Sequence, residues 1–547
     1  MYPLKDTFTF YDPSSKIWRG LPRKSILNPN QSLGDLILQI LERNARKVVQ
    51  ISADSGVEVT GAEIRLKTIR IAQNLIKLGY GETETEDIFT MVVRNGENAA
   101  PVVFACFALG IPVNTLDPTF SQDDLSHMLG TVKPKVMFCD NDVLDNVSAA
   151  CDAIGISPKI ILMSESERGY DHLETLLEPT GIEELFVPEH FKDTDSRLAV
   201  IVCSSGTTGR PKGVCLSSSS LIANVISMTE IYSSDAILSF SSLYWMSGLF
   251  FLLAGTAAGA TRIITRDVFS PALALEIIEK YRVTVAFFPP ATALQLLKHP
   301  QAPETDFSSM RVMFSGGSAV SAELKFALDK LIPNSTCLVG YGLSEVGGAA
   351  TFSDPDTYKG GSTGYLRPLV QAKIVDANGN ALDIDQEGEV LLKPEFKFSG
   401  YYGNDEATAE MLDPEGWLHS GDIGRFDKDG LLYVVDRKKD IIKYGNYQIS
   451  PSEIEGVIQT VPGVVNVCVA GIPVPGNDLP AALIVRSAEE NVSAEDVHKV
   501  IDLNLGSYKQ LRGGVYFTKE LPMTASGKVQ RRLCRDILIE LYNNSNM

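Results

Sequence analysis

The sequence lacks the features that mark a disulfide-stabilised, zinc-binding or membrane-spanning protein. Its eight cysteines are scattered over 547 residues without a Cys-x-x-Cys pair, so we expect reduced thiols of an intracellular protein. The longest apolar run, residues 246–260, contains glycine and is shorter than the roughly 20 residues that cross a bilayer. We therefore expect a buried helix there and no transmembrane segment.

Targeting signals and excess positive charge are also missing. The first residues, MYPLKDTFTFYDP, have no apolar h-region, and the final residues, NNSNM, are not a peroxisomal SKL-type signal. Lys and Arg total 49 against 68 Asp and Glu, and the resulting net charge of −19 disfavours broad electrostatic binding to nucleic acid or an anionic membrane. We expect a cytoplasmic protein that binds anionic small molecules through local groups.

The patterning that is present predicts an α/β fold followed by a smaller α+β part. From about residue 33 to 350, apolar runs such as LAVIVC and VTVAFF alternate with helical patterns such as LALEIIEKY, which indicates mostly parallel sheets. From about residue 361, Asn-Gly and Asp-Gly turns predict antiparallel hairpins in a β-barrel-like part. Beyond Asp436, Ser450-Pro-Ser-Glu453 is typical of a helix N-cap with a capping box.

The stretch CSSGTTGRPKGV, residues 203–214, has the composition of a phosphate-binding loop, because glycine frees backbone N–H groups and hydroxyls add donors. Its candidate contacts are Ser204, Ser205, Gly206, Thr207, Thr208, Gly209 and Lys212. It is not a P-loop: Pro211 and Gly213 stand where that motif needs glycine and a hydroxyl. The following GVCLS alternates like a strand, and the helical pattern begins only after the serine run. Taken alone, the stretch also fits an ordinary surface loop.

Five stretches, in order, resemble the motifs of the adenylate-forming superfamily, which includes acyl-CoA synthetases, plant coumarate ligases and beetle luciferases. They are SSGTTGRPKGV (204–214), GYGLSE (340–345), EGWLHSGD (415–422), DRKKDIIKYGNYQISPSEIE (436–455) and TASGKVQRR (524–532). The resemblance covers nearly the whole chain. It implies that ATP and Mg²⁺ activate a carboxylic acid to acyl-AMP with release of pyrophosphate, and that the acyl group then passes to coenzyme A.

The resemblance also implies roles for residues around the nucleotide. The loop at 204–212 would hold the β- and γ-phosphates, Ser344 the α-phosphate, and Glu345 the Mg²⁺, a cation that prefers carboxylate oxygen. The adenine would lie between a tyrosine and a glycine-rich backbone. The residues of that adenine slot are Tyr341, Gly342, Gly316 and Gly317.

Further motif positions imply a two-domain mechanism. Asp422 would bind both ribose hydroxyls, and Arg437 would reach the ribose from across a domain boundary. Lys528 would act in adenylation and Lys443 in thiolation, after a small domain rotates. The resemblance therefore predicts a large AMP-binding domain, 1–435, and a small mobile C-terminal domain, 436–547, with a hinge near Asp436.

Departures from the family pattern leave the acid and the thiol open. Tyr244 and Trp245 replace a common aromatic–His pair, LSSSSL (216–221) lacks a common histidine, and Asn446 occupies a common glycine slot. We expect an apolar acid pocket between residues 240–250 and the Gly347-Gly348-Ala349 strip. A fatty acyl-CoA synthetase for medium or long chains is the leading hypothesis. An aryl or phenylpropanoid acid–CoA ligase, a luciferase-like monooxygenase and a weakly active acyl-binding protein stay as alternatives.

Overall fold

The computed structural model describes residues 9–22, 31–81, 87–165, 169–190, 193, 197–205, 210–227, 230–396, 398–444, 447–475, 477–487, 492–523 and 529–545. Within these ranges the chain forms five sheets and fifteen α-helices. The predicted α/β class with a smaller α+β part is confirmed. None of the helices in these ranges is long and apolar enough to cross a membrane. All eight cysteines are buried free thiols.

The first sheet has seven strands, and every neighbouring pair runs parallel except the pair at one edge. In spatial order the strands are Pro211–Ser217, Leu198–Ser205, Val113–Leu116, Phe89–Val92, Val136–Cys139, Lys159–Leu162 and Asp171–His172. The three central strands are buried along their whole length, as expected for a parallel sheet covered by helices on both faces.

The second sheet has nine strands, with a parallel centre and antiparallel strands at both edges. In spatial order the strands are Tyr365–Leu366, Gly348–Phe352, Thr336–Leu343, Val312–Gly316, Val285–Phe287, Ala236–Ser239, Thr261–Ile264, Val48–Ser52 and Glu58–Thr60. The two large sheets confirm the alternation of apolar runs and helical patterns read from the sequence.

The third sheet is antiparallel throughout, as the Asn-Gly and Asp-Gly turns predict. In spatial order its six strands are Phe10–Asp12, Ile17–Arg19, Val370–Val375, Gly388–Pro394, Leu418–Phe426 and Leu432–Arg437. Gly379 and Gly430 take the positive φ angles, 82° and 80°, that these tight turns require.

Twelve helices pack against these three sheets. They are Leu33–Arg43, Gly61–Lys77, Ala99–Leu109, Gln122–Val132, Leu144–Ile154, Leu173–Leu177, Ser218–Ser227, Met246–Ala258, Pro271–Lys280, Pro290–Lys298, Ala322–Leu331 and Asp405–Met411. The predicted apolar helix is Met246–Ala258, which is largely buried and ends at Gly259 with φ 65°. One expectation was wrong: Ser218–Ser227 begins within the serine run, because Ser217 Oγ accepts the N–H of Ser220.

The last part of the chain folds around an apolar core of its own. Its strands are Ile442–Tyr444, Tyr447–Ile449, Val464–Val474, Asn477–Arg486 and Gly514–Thr518, and its helices are Pro451–Ile458, Ala494–Asn504 and Arg531–Ser545. Asp436 is the penultimate residue of the third sheet's last strand, immediately before this part. The division into two domains with a hinge there stays a prediction.

The predicted N-cap at Ser450 is confirmed, and the capping box is only half formed. Ser450 Oγ accepts the N–H of Glu453, and Pro451 opens the helix. The Glu453 carboxylate pairs with Lys509, which comes from a distant part of the sequence, and no reciprocal bond to the Ser450 N–H is found in the described chain. A lysine brought in by the tertiary fold has taken the place of the local partner.

Candidate active site

A cavity of about 730 Å³ lies where the carboxyl ends of the two parallel sheets meet the antiparallel sheet. Its walls come from the residues that follow the parallel strands and from the segments around residues 401–411 and 419–421. Crevices at the carboxyl ends of strands are the usual ligand sites of α/β folds. This cavity is therefore the candidate active site.

Three predicted residues form a hydrogen-bonded group at one end of the cavity. Asp422 and Arg437 are directly paired across neighbouring strands, and Arg437 Nε lies 2.7 Å from Asp422 Oδ1. The Tyr341 hydroxyl donates to Asp422 Oδ2 at 2.7 Å. Asp422 is 3% exposed, and burial raises the pKa of its carboxyl, while Arg437 and Tyr341 oppose that shift. A fixed carboxylate with two donors therefore marks this end.

Glycine residues let the strands around Tyr341 approach one another closely. A Cβ on Gly316 would lie 2.5 Å from the Gly340 carbonyl oxygen, and one on Gly342 would lie 2.0 Å from that of Gly348. Gly317 has φ 86°. Gly316, Gly317 and Gly342 all line the cavity beside Tyr341. Glycine backbone beside an aromatic ring suits the planar base that the motifs predict there.

The predicted phosphate end carries one lysine and one carboxylate. Ser204 and Lys212 face each other across the antiparallel pair Leu198–Ser205 and Pro211–Ser217, which explains why the stretch is not a P-loop followed by a helix. Lys212 and Ser204 line the cavity together with Ser344 and Glu345, which sit on a 3₁₀ turn. The structure thus brings a cation, hydroxyls and a carboxylate together.

Glu345 is held by a residue that the sequence reasoning missed. The Tyr401 hydroxyl donates to Glu345 Oε1 at 2.7 Å, and both residues are 8% exposed. Burial and, next, the charge of Glu345 raise the pKa of Tyr401 well above its usual range. The Lys212 ammonium lies 5.0 Å from the centre of the Tyr401 ring. One phenol side chain therefore contacts both Glu345 and Lys212.

The carboxylate chemistry fits Mg²⁺ bound together with phosphate. In the ranges that the structure describes, no group of three or more His, Cys, Asp or Glu side chains could hold a metal alone. Mg²⁺ commonly uses one or two carboxylates and completes its shell with phosphate oxygens and water. Glu345, beside Lys212 and Ser344, fits such a site.

The described wall of the cavity does not include every predicted residue. Those outside the described residues are Gly206, Thr207, Thr208, Gly209, Asn446 and Lys528, and the same holds for the side chain of Ser205. Lys443 is exposed on the hairpin of Ile442–Tyr444 and Tyr447–Ile449, and it does not line the cavity. The structure therefore leaves the two lysine roles as predictions.

Aromatic side chains form much of the cavity wall, where we expect the acid. The rings are those of Phe240, Trp245, Phe250, Phe251, Phe269, Phe287, Phe288, Phe314 and Phe352. Gly348 and Ala349 line the same cavity, so both segments that we predict to form the acid pocket reach it. Tyr244 is instead buried between Phe120 and Trp245.

Sequence reasoning also missed a charged group at the edge of the cavity. Arg94 and Arg266 both line it, and both approach the buried Asp140, at 3.6 Å and 3.2 Å. Arg94 and Asp140 follow strands of the first sheet and Arg266 follows a strand of the second, and the three lie in no shared motif, so only the fold brings them together. Tyr401 did carry a local signal, since it stands in GYYG between two glycines with positive φ, Gly400 and Gly403.

Comparison with known proteins supports the motif assignment. The family model described as AMP-binding enzyme matches residues 39–402, and the model of its C-terminal domain matches residues 453–528. The chain is 30% identical to luciferin 4-monooxygenase of Photinus pyralis, covering 88% of this chain and 90% of that protein. It is 29% identical to 4-coumarate–CoA ligase 1 of Arabidopsis thaliana, covering 94% of each.

Solved structures share the fold. The luciferase-like enzyme from the nonluminescent mealworm Zophobas morio matches with a TM-score of 0.70 at 30% identity, over 77% of this chain and 99% of that one. An anthranilate CoA ligase in complex with anthranoyl-AMP matches with a TM-score of 0.86 at 21% identity, over 94% and 99%. With its five motifs in order and both family models matched, the chain belongs to the AMP-binding enzymes of the adenylate-forming superfamily.

Proposed function

We propose that this protein is an AMP-forming acid–CoA ligase. The observation that carries the proposal is one cavity whose wall combines two kinds of chemistry. Lys212, Ser344 and Glu345 supply a cation, a hydroxyl and a carboxylate, and phenylalanine rings form much of the remaining wall. Tyr341 and Arg437 also line the cavity, and both contact the buried Asp422. An enzyme that joins a polyanionic nucleotide to an apolar acid needs this combination.

In the proposed adenylation, the chain's residues hold the nucleotide and neutralise charge. Carboxylate attack on the α-phosphate brings two anions together, so fixed cations and donors lower the barrier. Lys212 supplies one such cation and Ser344 one hydroxyl donor. Asp422 and Arg437 hold the ribose, and Tyr341 packs against adenine. Mg²⁺ bound through Glu345 would add positive charge at the phosphate oxygens.

The second half-reaction requires another face of the small domain. We propose that Lys528 serves adenylation and Lys443 serves thioester formation. Lys443 is exposed and outside the cavity wall, so a rotation near Asp436 would have to bring it to the acyl-adenylate. Exchanging one face for another lets one cleft run two chemical steps.

For the acid itself, we propose an aryl or phenylpropanoid acid as the first candidate. The rings of Phe251, Phe314 and Phe352 pack at tilted angles with centroids 5.2–5.6 Å apart, and aromatic pairs prefer offset or edge-to-face packing, so an aryl acid could pack on these rings in the same way. The coumarate ligase relative supports this choice. A medium- or long-chain fatty acid is the second candidate. It is favoured by Val268, which lines the cavity yet is 80% exposed, so a chain could extend towards solvent.

The product nucleotide tests the proposal directly. We expect AMP and pyrophosphate to appear only when ATP, Mg²⁺ and an acid are all present, because the loop sequence lacks P-loop spacing and the family motifs imply attack at the α-phosphate. Chromatography of reactions with a panel of aryl and fatty acids, with and without CoA, measures this. ADP as product would overturn the proposal. Binding of acids without AMP formation would favour the acyl-binding alternative, and oxygen consumption would favour a monooxygenase.

The acid pocket can be narrowed at Ala349. Gly348 has φ 140°, where any side chain would strain the backbone, so Ala349 is the better position for a larger residue. We expect Ala349→Leu to shift the ratio of kcat/KM values towards smaller or shorter acids by roughly tenfold. This corresponds to about 1.4 kcal/mol of discrimination against the larger acids, because the leucine takes up pocket space. The kcat/KM values for a size series measure the shift.

Ala62→Leu is a matched control for that series. Ala62 is exposed near the start of helix Gly61–Lys77 and does not line the cavity. The control should keep the wild-type profile. An unchanged profile in Ala349→Leu would place the acid elsewhere.

A further inference from the structure

Tyr401 contacts two oppositely charged side chains that line the cavity, Glu345 and Lys212. Its hydroxyl donates to Glu345 Oε1 at 2.7 Å, and the Lys212 ammonium lies 5.0 Å from the centre of its ring. Among the described residues, no ion pair joins Lys212 to Glu345. One side chain therefore contacts both charges while they remain apart.

The fold holds this tyrosine firmly. The segment around it runs beside strand Pro211–Ser217, with the Cys215 N–H donating to the Gly400 carbonyl at 3.0 Å and the Tyr402 N–H donating to that of Gly213 at 2.8 Å. The Tyr401 N–H donates to Thr408 Oγ1 at 2.9 Å, and the Phe398 ring packs edge-on at 5.4 Å. The ring is thus fixed to the same strand that carries Lys212.

A neutral phenol that contacts both groups affects how the Lys212 ammonium and the Glu345 carboxylate interact. An ammonium and a carboxylate that share a small cavity attract each other strongly at low dielectric, and a direct pair would neutralise both. The phenol satisfies one carboxylate oxygen without cancelling its charge, because a hydroxyl donor carries no net charge. It also gives the ammonium an aromatic face instead of an anion. Both charges then stay available to a ligand.

We propose that Tyr401 is a positioning residue that orients Glu345 for a divalent cation and keeps Lys212 from pairing with it. This inference rests on the proposed function, in which both residues act on bound ATP. The hydroxyl binds Oε1 and thereby sets the orientation of the carboxylate, and the remaining lone pairs, including those of Oε2, stay available to the cation. The ring preserves Lys212 as a separate phosphate-binding cation.

The test measures binding and not turnover. α,β-Methylene-ATP cannot transfer its AMP group, because a carbon bridge replaces the α–β oxygen that must leave. It is titrated calorimetrically into the protein without metal and with saturating Mn²⁺. The dissociation constant without metal, divided by the one with Mn²⁺, reports how much the protein contributes to binding the cation. We expect Tyr401→Phe to lower that ratio roughly tenfold, as is typical when a group that orients a metal ligand is lost. Binding of the analogue without metal should stay within about twofold, because the ring over Lys212 remains.

Two further variants separate the hydroxyl from the ring. Tyr402→Phe is the matched control, since Tyr402 packs with a neighbouring core cluster and does not line the cavity, and it should keep the wild-type ratio. Tyr401→Leu removes the ring as well, so Lys212 and Glu345 are free to pair. We expect this variant to bind the analogue more weakly even without metal.

An unchanged ratio in Tyr401→Phe, or a wild-type ratio of one, would overturn the inference. Equal metal-free binding in Tyr401→Leu and wild type would remove the separating role of the ring. These outcomes are distinct from failure of the proposed function, which appears as the wrong product nucleotide in wild-type protein.

Discussion

The Lys528→Ala protein should form acyl-adenylate roughly 10²–10³ times more slowly than wild type, which is the usual loss when one group that stabilises a transition-state charge is removed. Lys528 stands in the ASGK motif, where the family pattern predicts a cation that reaches the α-phosphate and the attacking carboxylate. Negative charge accumulates there as the phosphorus becomes pentavalent. Single-turnover measurement of acyl-AMP from acid and ATP gives the rate.

Lys519→Ala provides the matched control, because Lys519 is an exposed lysine nine residues before Lys528 in the same part of the chain. It should retain the wild-type rate, and both variants should convert preformed acyl-AMP and CoA to thioester at similar rates. Unchanged acyl-AMP formation in Lys528→Ala would show that another group carries the role.

The Asp436→Pro protein should still make acyl-AMP but should convert it to thioester roughly 10² times more slowly, a loss typical of reacting groups displaced by about 1 Å. Proline fixes φ near −65° and removes the backbone donor, so it restricts rotation at the predicted hinge without touching either substrate. The two half-reactions are assayed separately, from acid and ATP and from preformed acyl-AMP and CoA. Lys443→Ala should show the same separation more mildly.

Asp436 also has side-chain contacts that proline would remove. Its carboxylate accepts hydrogen bonds from Ser450 Oγ at 2.7 Å and from the Ser452 N–H at 2.9 Å, which tie it to the start of helix Pro451–Ile458. Asp436→Ala removes these bonds and leaves φ free, so the difference between the two variants isolates the backbone effect. Equal thioester rates in Asp436→Pro and wild type would exclude rotation at this residue from the mechanism.

The large-scale fold could be predicted from the sequence because its signals are local. Fully apolar four-residue strands such as Val136–Cys139 and turns such as Asn378-Gly379 each encode their own geometry. The same holds for the site residues inside contiguous motifs, since Ser344 and Glu345 follow directly from the strand that carries Tyr341.

What the sequence could not reveal depends on contacts between distant segments. Tyr401 reaches Glu345 across 56 positions because residues 400–402 pair with strand Pro211–Ser217, and no local pattern encodes that pairing. Glu453 likewise meets Lys509 across 56 positions, in place of the local capping partner. In both cases a side chain distant in sequence contacts a glutamate. The motifs assign Glu345 to a metal ion, and the local sequence assigns Glu453 to the Ser450 N–H.

The closed arrangement at Asp422 has a consequence for nucleotide recognition. Both carboxylate oxygens already have partners, Tyr341 and Arg437, before any sugar arrives. A ribose diol that replaced the Tyr341 hydroxyl, with Arg437 kept in place, would exchange one donor for others, so the net gain in hydrogen-bond free energy would be small. A sugar without the diol, by contrast, cannot complete the exchange. We therefore expect Asp422 to determine selectivity for the ribose diol more than the affinity for the nucleotide.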